Sequence, residues 1–381
     1  MGLLSDFWAW GYGLFSYIIP FLFVLTIVVF FHELGHFLVA RRCGIRVLTF
    51  SIGFGPEIVG FNDRHGTRWK LAAIPLGGYV KFFGDENAAS VPDAAALAAM
   101  DPREREVSFF GKSVGQRAAV VAAGPIANFI LAIVIFAGVF TLFGKPFTSP
   151  RVDGVQAGSA AATAGFKPGD LVLSINGSGI DSFNDMQRIV STSAGEKLRI
   201  VVDRGGVQET LTATPDLREV KDSFGNVHRM GVLGITRSNA PGDVKVQHVD
   251  PLTAIGMGFQ ETWFVIDRTL SYLGGVASGR ESADQLGGPI RIAQVSGQVA
   301  TVGFVALMHL AAVLSVSIGM LNLFPIPLLD GGHLLFYGIE AARGRPLSER
   351  AQEIGFRVGL AIVLMLMIFA TFNDILHLAT S

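Results

Sequence analysis

The chain has 381 residues, 50% of them apolar and 16% charged, with a net charge of −1. That balance excludes a disordered polyelectrolyte and a protein that holds nucleic acid by bulk charge, so no nucleic-acid partner is expected. Cys43 is the one cysteine, which excludes an intramolecular disulfide and a thiolate metal cluster; it is expected to be an inert structural residue.

In chain order, residues 1–13 carry no Lys or Arg, against the positive start of a cleaved signal peptide. Residues 14–31 are 18 uncharged residues that run into His32, Glu33 and His36. This predicts a first membrane span within 1–42. Residues 43–117 hold alternating apolar positions with Gly and Pro breaks, and predict short strands at 50–56 and 69–83, then a polar mobile loop over 85–106. A second span is expected at 118–143, which has 26 residues without a charge. Residues 150–215 alternate strand and turn signals, at Lys167-Pro-Gly-Asp170, Asn176-Gly177 and Arg204-Gly-Gly206, and suit one small α/β module. The connector 216–291 contains an apolar helical pattern at 251–275, expected to lie on the outer membrane surface. Residues 292–329 are 38 uncharged residues, more than one crossing needs. They predict a third span within 292–335 together with an entering segment or loop at membrane depth. A loop at 336–357 leads to a fourth span at 358–376, whose ends at Arg357 and Asp374 are expected to snorkel.

Lys and Arg placement sets the expected orientation. Eleven fall in residues 41–117, four precede the fourth span, and the termini have none. Both termini and the segment 144–291 are therefore expected outside the membrane, with the 43–117 insertion on the cytoplasmic side. The expected fold class is an α-helical membrane protein with four transmembrane helices, a membrane-associated β-rich cytoplasmic insertion and one extracytoplasmic α/β domain.

His32-Glu33-Leu34-Gly35-His36 places two imidazoles on one helical face, with a carboxylate beside them. That pattern suits a metal ion held by His32 and His36, with Glu33 as a base toward a metal-activated water. A catalytic zinc takes a third protein ligand. Asp330, in Asn322-Leu-Phe-Pro-Ile-Pro-Leu-Leu-Asp-Gly-Gly332, is a carboxylate on a segment broken by Pro325 and Pro327. It can serve as that ligand or cap the following helix, and both roles stay open on the residues alone.

The two motifs, in this order and on separate apolar segments, resemble the site-2 protease family of intramembrane metalloproteases, and most closely its bacterial regulator-of-sigma-E group. Pro75-Leu-Gly-Gly-Tyr-Val-Lys-Phe82, Gly124-Pro125-x-x-Asn128 and Leu286-Gly-Gly-Pro-Ile290 extend the resemblance over nearly the whole chain, and residues 158–177 resemble a PDZ module. The resemblance implies Zn2+ on His32, His36 and Asp330, Glu33 as general base and acid, and Asn322 and Pro325 near the substrate strand. His333 would be structural. It further implies a bacterial inner-membrane protein that cuts single-span substrates such as anti-sigma factors or signal-peptide remnants, after an upstream site-1 protease. Strand addition of the substrate to the 69–83 edge is expected, with Gly77 and Gly78 letting the backbone bend toward the metal. Many members of this group carry tandem PDZ modules, whereas the space here suits one. An ion transporter and a catalytically dead PDZ scaffold are the alternatives. The first is disfavoured by Glu33 beside the first histidine and by the lack of paired broken-helix repeats, the second by intact Glu33 and Asp330.

Overall fold

The computed structural model describes residues 2–85, 97, 99–221, 227–237, 244–279, 283 and 287–380. They form two units, residues 1–139 with 251–381, and residues 140–250.

In the first unit, helix α1 (Gly2–Arg42) ends in a left-handed turn. Gly44 has φ of 69°, the Ile45 amide donates to Ala40 and the Gly44 amide to Arg41. This closes the helix with its orphan carbonyls satisfied. Arg41 and Arg42 lie in the last turn, at the negative end of the helix dipole.

Strands β1 (Val47–Asn62) and β2 (Arg68–Phe82) are long and bent, and each pairs twice. Thr49–Ile52 pairs with Gly78–Lys81, and on its other side with Arg68–Leu71, whose partners rise together and so run parallel. Residues 57–62 pair with 68–72. The result is four short rungs in the order 57–62, 68–72, 47–52, 78–82. Among the described residues only the outer rungs are edges, so of the expected 69–83 edge the first half is interior and Gly78–Phe82 is the edge. An aromatic cluster fastens the sheet to the last turns of α1. Phe50 stacks on Trp69 with ring centroids 4.2 Å apart, and Phe37 meets both edge-on at 5.6 and 5.0 Å. The far end of the sheet carries exposed Phe54, Ile58, Val59, Ile74 and Leu76, an apolar patch of the kind that suits lipid.

The expected mobile loop lies partly outside the described residues. Its end is instead ordered as α2 (Pro102–Val107), with a capping box between Asp101 and Glu104. Helix α3 (Val114–Phe143) contains Pro125, which leaves Val121 without its helical donor.

In the second unit, β3 (Lys145–Thr148) and β4 (Gly154–Val155) precede α4 (Ala160–Ala164), β5 (Leu171–Ile175), β6 (Ser178–Gly179), α5 (Phe183–Thr192), β7 (Leu198–Arg204) and β8 (Val207–Ala213). The sheet order is β6-β5-β7-β8. Its core gathers Val152, Phe166, Val172, Ile175, Met186, Ile200 and Leu233. A boundary at 215 is therefore too early. Hairpin β9 (Asp216–Lys221) and β10 (Val227–Val232) leads back to β11 (Ile235–Thr236), which pairs with β4, and Leu233 accepts from the Ala161 amide. Strand β12 (Val244–Gln247) pairs with β3.

Back in the first unit, α6 (Pro251–Ala277) is helical throughout. It buries Ala254, Gly258 and Glu261 on one face, with Gly258 against the backbone of Ile133 in α3. The third long apolar stretch divides at Gly303, φ 131°, into α7 (Pro289–Val302) and α8 (Phe304–Asn322). The excess length is thus a separate helix, α7. After the irregular segment 323–329, α9 (Asp330–Arg343) occupies the start of the segment expected as a loop, and α10 (Glu349–Thr380) runs well beyond the expected fourth span. Asp374 does not snorkel. It is 3% exposed and accepts from the amides of Gly288, Ile290 and Arg291 at 2.8, 3.1 and 3.1 Å, capping α7. Among the described residues, four helices are long and apolar enough to cross a membrane: Phe15–Arg42, Val114–Phe143, Phe304–Asn322 and Glu349–Leu376.

Candidate metal centre

The site is assembled from α1, α3, α9 and the sheet edge. His32 and His36, one turn apart on α1, meet edge-to-face with centroids 4.8 Å apart, and their Nε2 atoms are 3.3 Å apart. Asp330 Oδ2 lies 3.2 Å from His32 Nε2 and 3.5 Å from His36 Nε2. One ligand atom from each residue falls within 4.8 Å of the others.

Asp330 does not cap α9. It is the helix's first residue, and the capping position falls to Leu329, which makes no side-chain cap. The preceding segment is held under strain, because Leu328 has φ of 115°, a region costly for a branched side chain, on the order of 1–3 kcal/mol. Gly331 and Gly332 sit against the carbonyls of Leu323, Phe324 and Ile326, and Gly359 of α10 sits against Pro327. These close backbone contacts fix the segment that carries Asp330.

Helix α3 forms the opposite wall. Gly35 of α1 faces the Ala123 carbonyl and Ala127, while a side chain at Gly124 would overlap His36 Nε2 and come within 2.9 Å of His32 Cε1. His36 Nδ1 is 2.8 Å from the Val120 carbonyl. A carbonyl only accepts, so Nδ1 carries the proton and Nε2 presents its lone pair to the cluster.

These residues fit a metal ion. The Nε2 atoms of His32 and His36 face each other at 3.3 Å, and the buried Asp330 Oδ2 lies 3.2 and 3.5 Å from them with no well-formed hydrogen bond among the described residues. Two imidazole nitrogens and a carboxylate oxygen directed at one point are the donor set of a three-ligand zinc site with an open position.

The family model for peptidase family M50 matches residues 20–366. The chain belongs to peptidase family M50. A protein of Agrobacterium fabrum named as a candidate zinc metalloprotease is 53% identical over 94% of this chain and 96% of its own length. A similarly named protein of Rhizobium meliloti is 52% identical over 94% and 96%. Metalloprotease MmpA of Caulobacter vibrioides is 43% identical over 95% and 96%. A PDZ domain from Listeria monocytogenes is similar over 24% of this chain and 87% of that one, at 20% identity and a TM-score of 0.19, a likeness too slight to carry an argument.

In this M50 peptidase the metal-fitting cluster opens into a cavity of about 220 Å³ that Glu33 and Gly78 also line. Gly78 leaves no room for a side chain, since a Cβ there would lie 3.0 Å from Glu33 Cγ and 2.9 Å from Val29 Cγ1. The Val80 amide, on the same edge rung, is near enough to act electrostatically on the Glu33 carboxylate. The base candidate and the open strand therefore border the same cavity. Gly77 does not line the cavity; it has φ of 152° and faces the Phe54 ring. Asn322 closes α8, its Nδ2 donating to Ile318 at 3.1 Å, and Pro325 is exposed in the segment that follows. Neither lines this cavity.

The lining also includes Asp85, His333 and Tyr337. Asp85 was legible only as the start of a polar loop, and Tyr337 carried no signal. Tyr337 lies under the Arg117 guanidinium at 4.9 Å, and Arg117 pairs with Glu340 at 2.6 Å, which links α3 to α9 beside the cavity.

Proposed function

We propose that this chain is a zinc-dependent peptidase that cuts peptide bonds in the membrane-spanning segments of other proteins. His32, His36 and Asp330 hold the ion and Glu33 moves the proton. The convergence of two imidazole Nε2 atoms and Asp330 Oδ2, in a chain with four helices able to cross a membrane, carries the reading. The zinc metalloprotease names of the similar proteins support it.

When bound, zinc lowers the pKa of water toward neutrality and polarises a carbonyl oxygen. A Glu33 carboxylate oxygen accepts the proton of the attacking water and delivers it to the leaving amide nitrogen. His36 Nδ1–H, anchored on Val120, keeps its ring aimed. A substrate helix must be unwound before its backbone can react, and its freed amides and carbonyls find no partners in lipid. The edge rung Gly78–Phe82 supplies them by strand addition, which brings the extended substrate past Glu33. Gly77, Asn322 and Pro325 complete the substrate path in this reading.

The unit of residues 140–250 acts as a PDZ-like filter outside the membrane, admitting substrates already shortened by an upstream site-1 protease. Anti-sigma-factor-like proteins and remnant signal peptides are the substrate classes, and the bacterial inner membrane is the location, with both termini outside and the metal near the cytoplasmic face.

The test is zinc content and cleavage of a single-span substrate in proteoliposomes, for wild type and Glu33→Gln. The expected outcome is about one zinc per chain in both, with cleavage lowered at least 10²-fold in the variant. Equal cleavage by both would remove Glu33 from the chemistry, and zinc-free wild type would remove the metal.

A further inference from the structure

The two imidazoles differ in how their far nitrogens are held. His36 rests on a backbone carbonyl, whereas His32 Nδ1 faces a side chain, Asn128 Nδ2 of α3, at 3.2 Å. Asn128 is completely buried, and its Oδ1 accepts no hydrogen bond. Helix α8 fixes it from behind. Ser315 Oγ donates to the Asn128 carbonyl at 2.8 Å, and Gly319, one turn on, leaves room for Asn128 Cβ, which a Cβ there would meet at 3.1 Å.

The orientation of this amide decides where the His32 proton sits. With Nδ2 toward the ring, the amide donates to Nδ1 and the proton belongs on Nε2, between His36 Nε2 and Asp330 Oδ2. There it occupies the place of a metal. A half-turn about Cβ–Cγ brings Oδ1 to the same position, since the two amide arms are nearly isosteric. Oδ1 then accepts from Nδ1–H, and His32 Nε2 offers its lone pair beside that of His36.

We propose that Asn128 is the positioning residue that selects the metal-binding tautomer of His32, turning its amide oxygen to Nδ1 when the ion is bound. This rests on the zinc reading above. With Val120 serving His36, α3 then supplies an acceptor to each imidazole. Because α8 clamps the Asn128 backbone, only the amide is left to turn.

Asn128→Asp separates this from a packing role, because a carboxylate can accept from Nδ1–H but cannot donate to it. Zinc affinity is measured on the full-length protein in detergent by competition with a chromophoric chelator, alongside the visible absorption of the Co(II)-loaded protein. The expected result is that Asn128→Asp binds zinc as tightly as wild type, or tighter, and keeps a tetrahedral Co(II) spectrum. Asn128→Leu is expected to lose about 10–100-fold in affinity. The proposal is overturned if Asn128→Asp loses affinity as Leu does, or if Leu retains it. Should Leu fail to accumulate, the Asp result decides alone. Wild type that binds no zinc would instead sink the metal reading itself, so the two failures are distinct.

Discussion

Gly124 has no side chain, and the geometry of α1 against α3 explains why. A single methyl there would fall on His36 Nε2 and crowd His32 Cε1, displacing the two rings whose Nε2 atoms converge in the proposed metal site. Gly124→Ala is therefore expected to reduce zinc affinity by at least 10-fold, as close as misplaced ligands come to a removed second partner, while the protein still accumulates in the membrane. Chelator competition on the purified variant checks this. Unchanged affinity would mean that α3 stands further from the imidazoles than described. At this scale the sequence was most legible where one helical turn connects the partners. His32 and His36 share a face by periodicity alone. Asn128 lies 96 positions from His32, and no local pattern joins them.

Elements explain what single residues cannot. The run 69–83 reads as one strand, but its halves have opposite fates because β1 folds between them. Alternation of apolar residues marks a strand without revealing which of its sides is paired. The open rung Gly78–Phe82 passes Glu33, and Gly78 allows the backbone to come close. Gly78→Val is expected to keep zinc near one per chain and to lower cleavage of a transmembrane substrate at least 10-fold, measured in proteoliposomes. Cleavage at the wild-type rate would rule out strand addition on this rung. Helix ends were hard to read for a related reason. Asp374 looked like the boundary of a span, yet its carboxylate caps a helix that begins 85 residues earlier, at Pro289. The Asp101–Glu104 capping box, by contrast, is local and was available in the sequence.

Across the whole molecule, the four long apolar runs were readable because a bilayer demands about 20 such residues each. The limit of the second unit was not, because a chain that leaves at 215 and returns at 233–236 shows no composition shift on return. That unit carries a buried ion pair, Asp170 with Arg204 at 2.8 Å. The Arg204 hydrogen bonds, helped by the Lys167 amide, hold the Asp170 carboxyl below its ordinary range. A carboxyl lowered by folding contributes stability that is complete above its unfolded pKa, about 3.9, and lost as pH falls through the lowered folded value. Hydrogen exchange of amides 171–175 and 198–204 in the full-length protein should therefore lose protection below about pH 4 in wild type. Arg204→Ala is expected to lower the stability of this unit at neutral pH and to flatten that dependence. A slope unaltered by the substitution would mean that other groups drive the acid response.

The irregular segment before α9 has a consequence for biosynthesis. Asp330 follows the end of α3 by about 190 residues, which at ribosomal speeds is roughly 10–40 s of elongation. Throughout that interval the nascent chain holds two imidazoles and a base but no carboxylate to close the ring of donors. On the proposed ligand set, the three-ligand site cannot be complete before Asp330 has been synthesised.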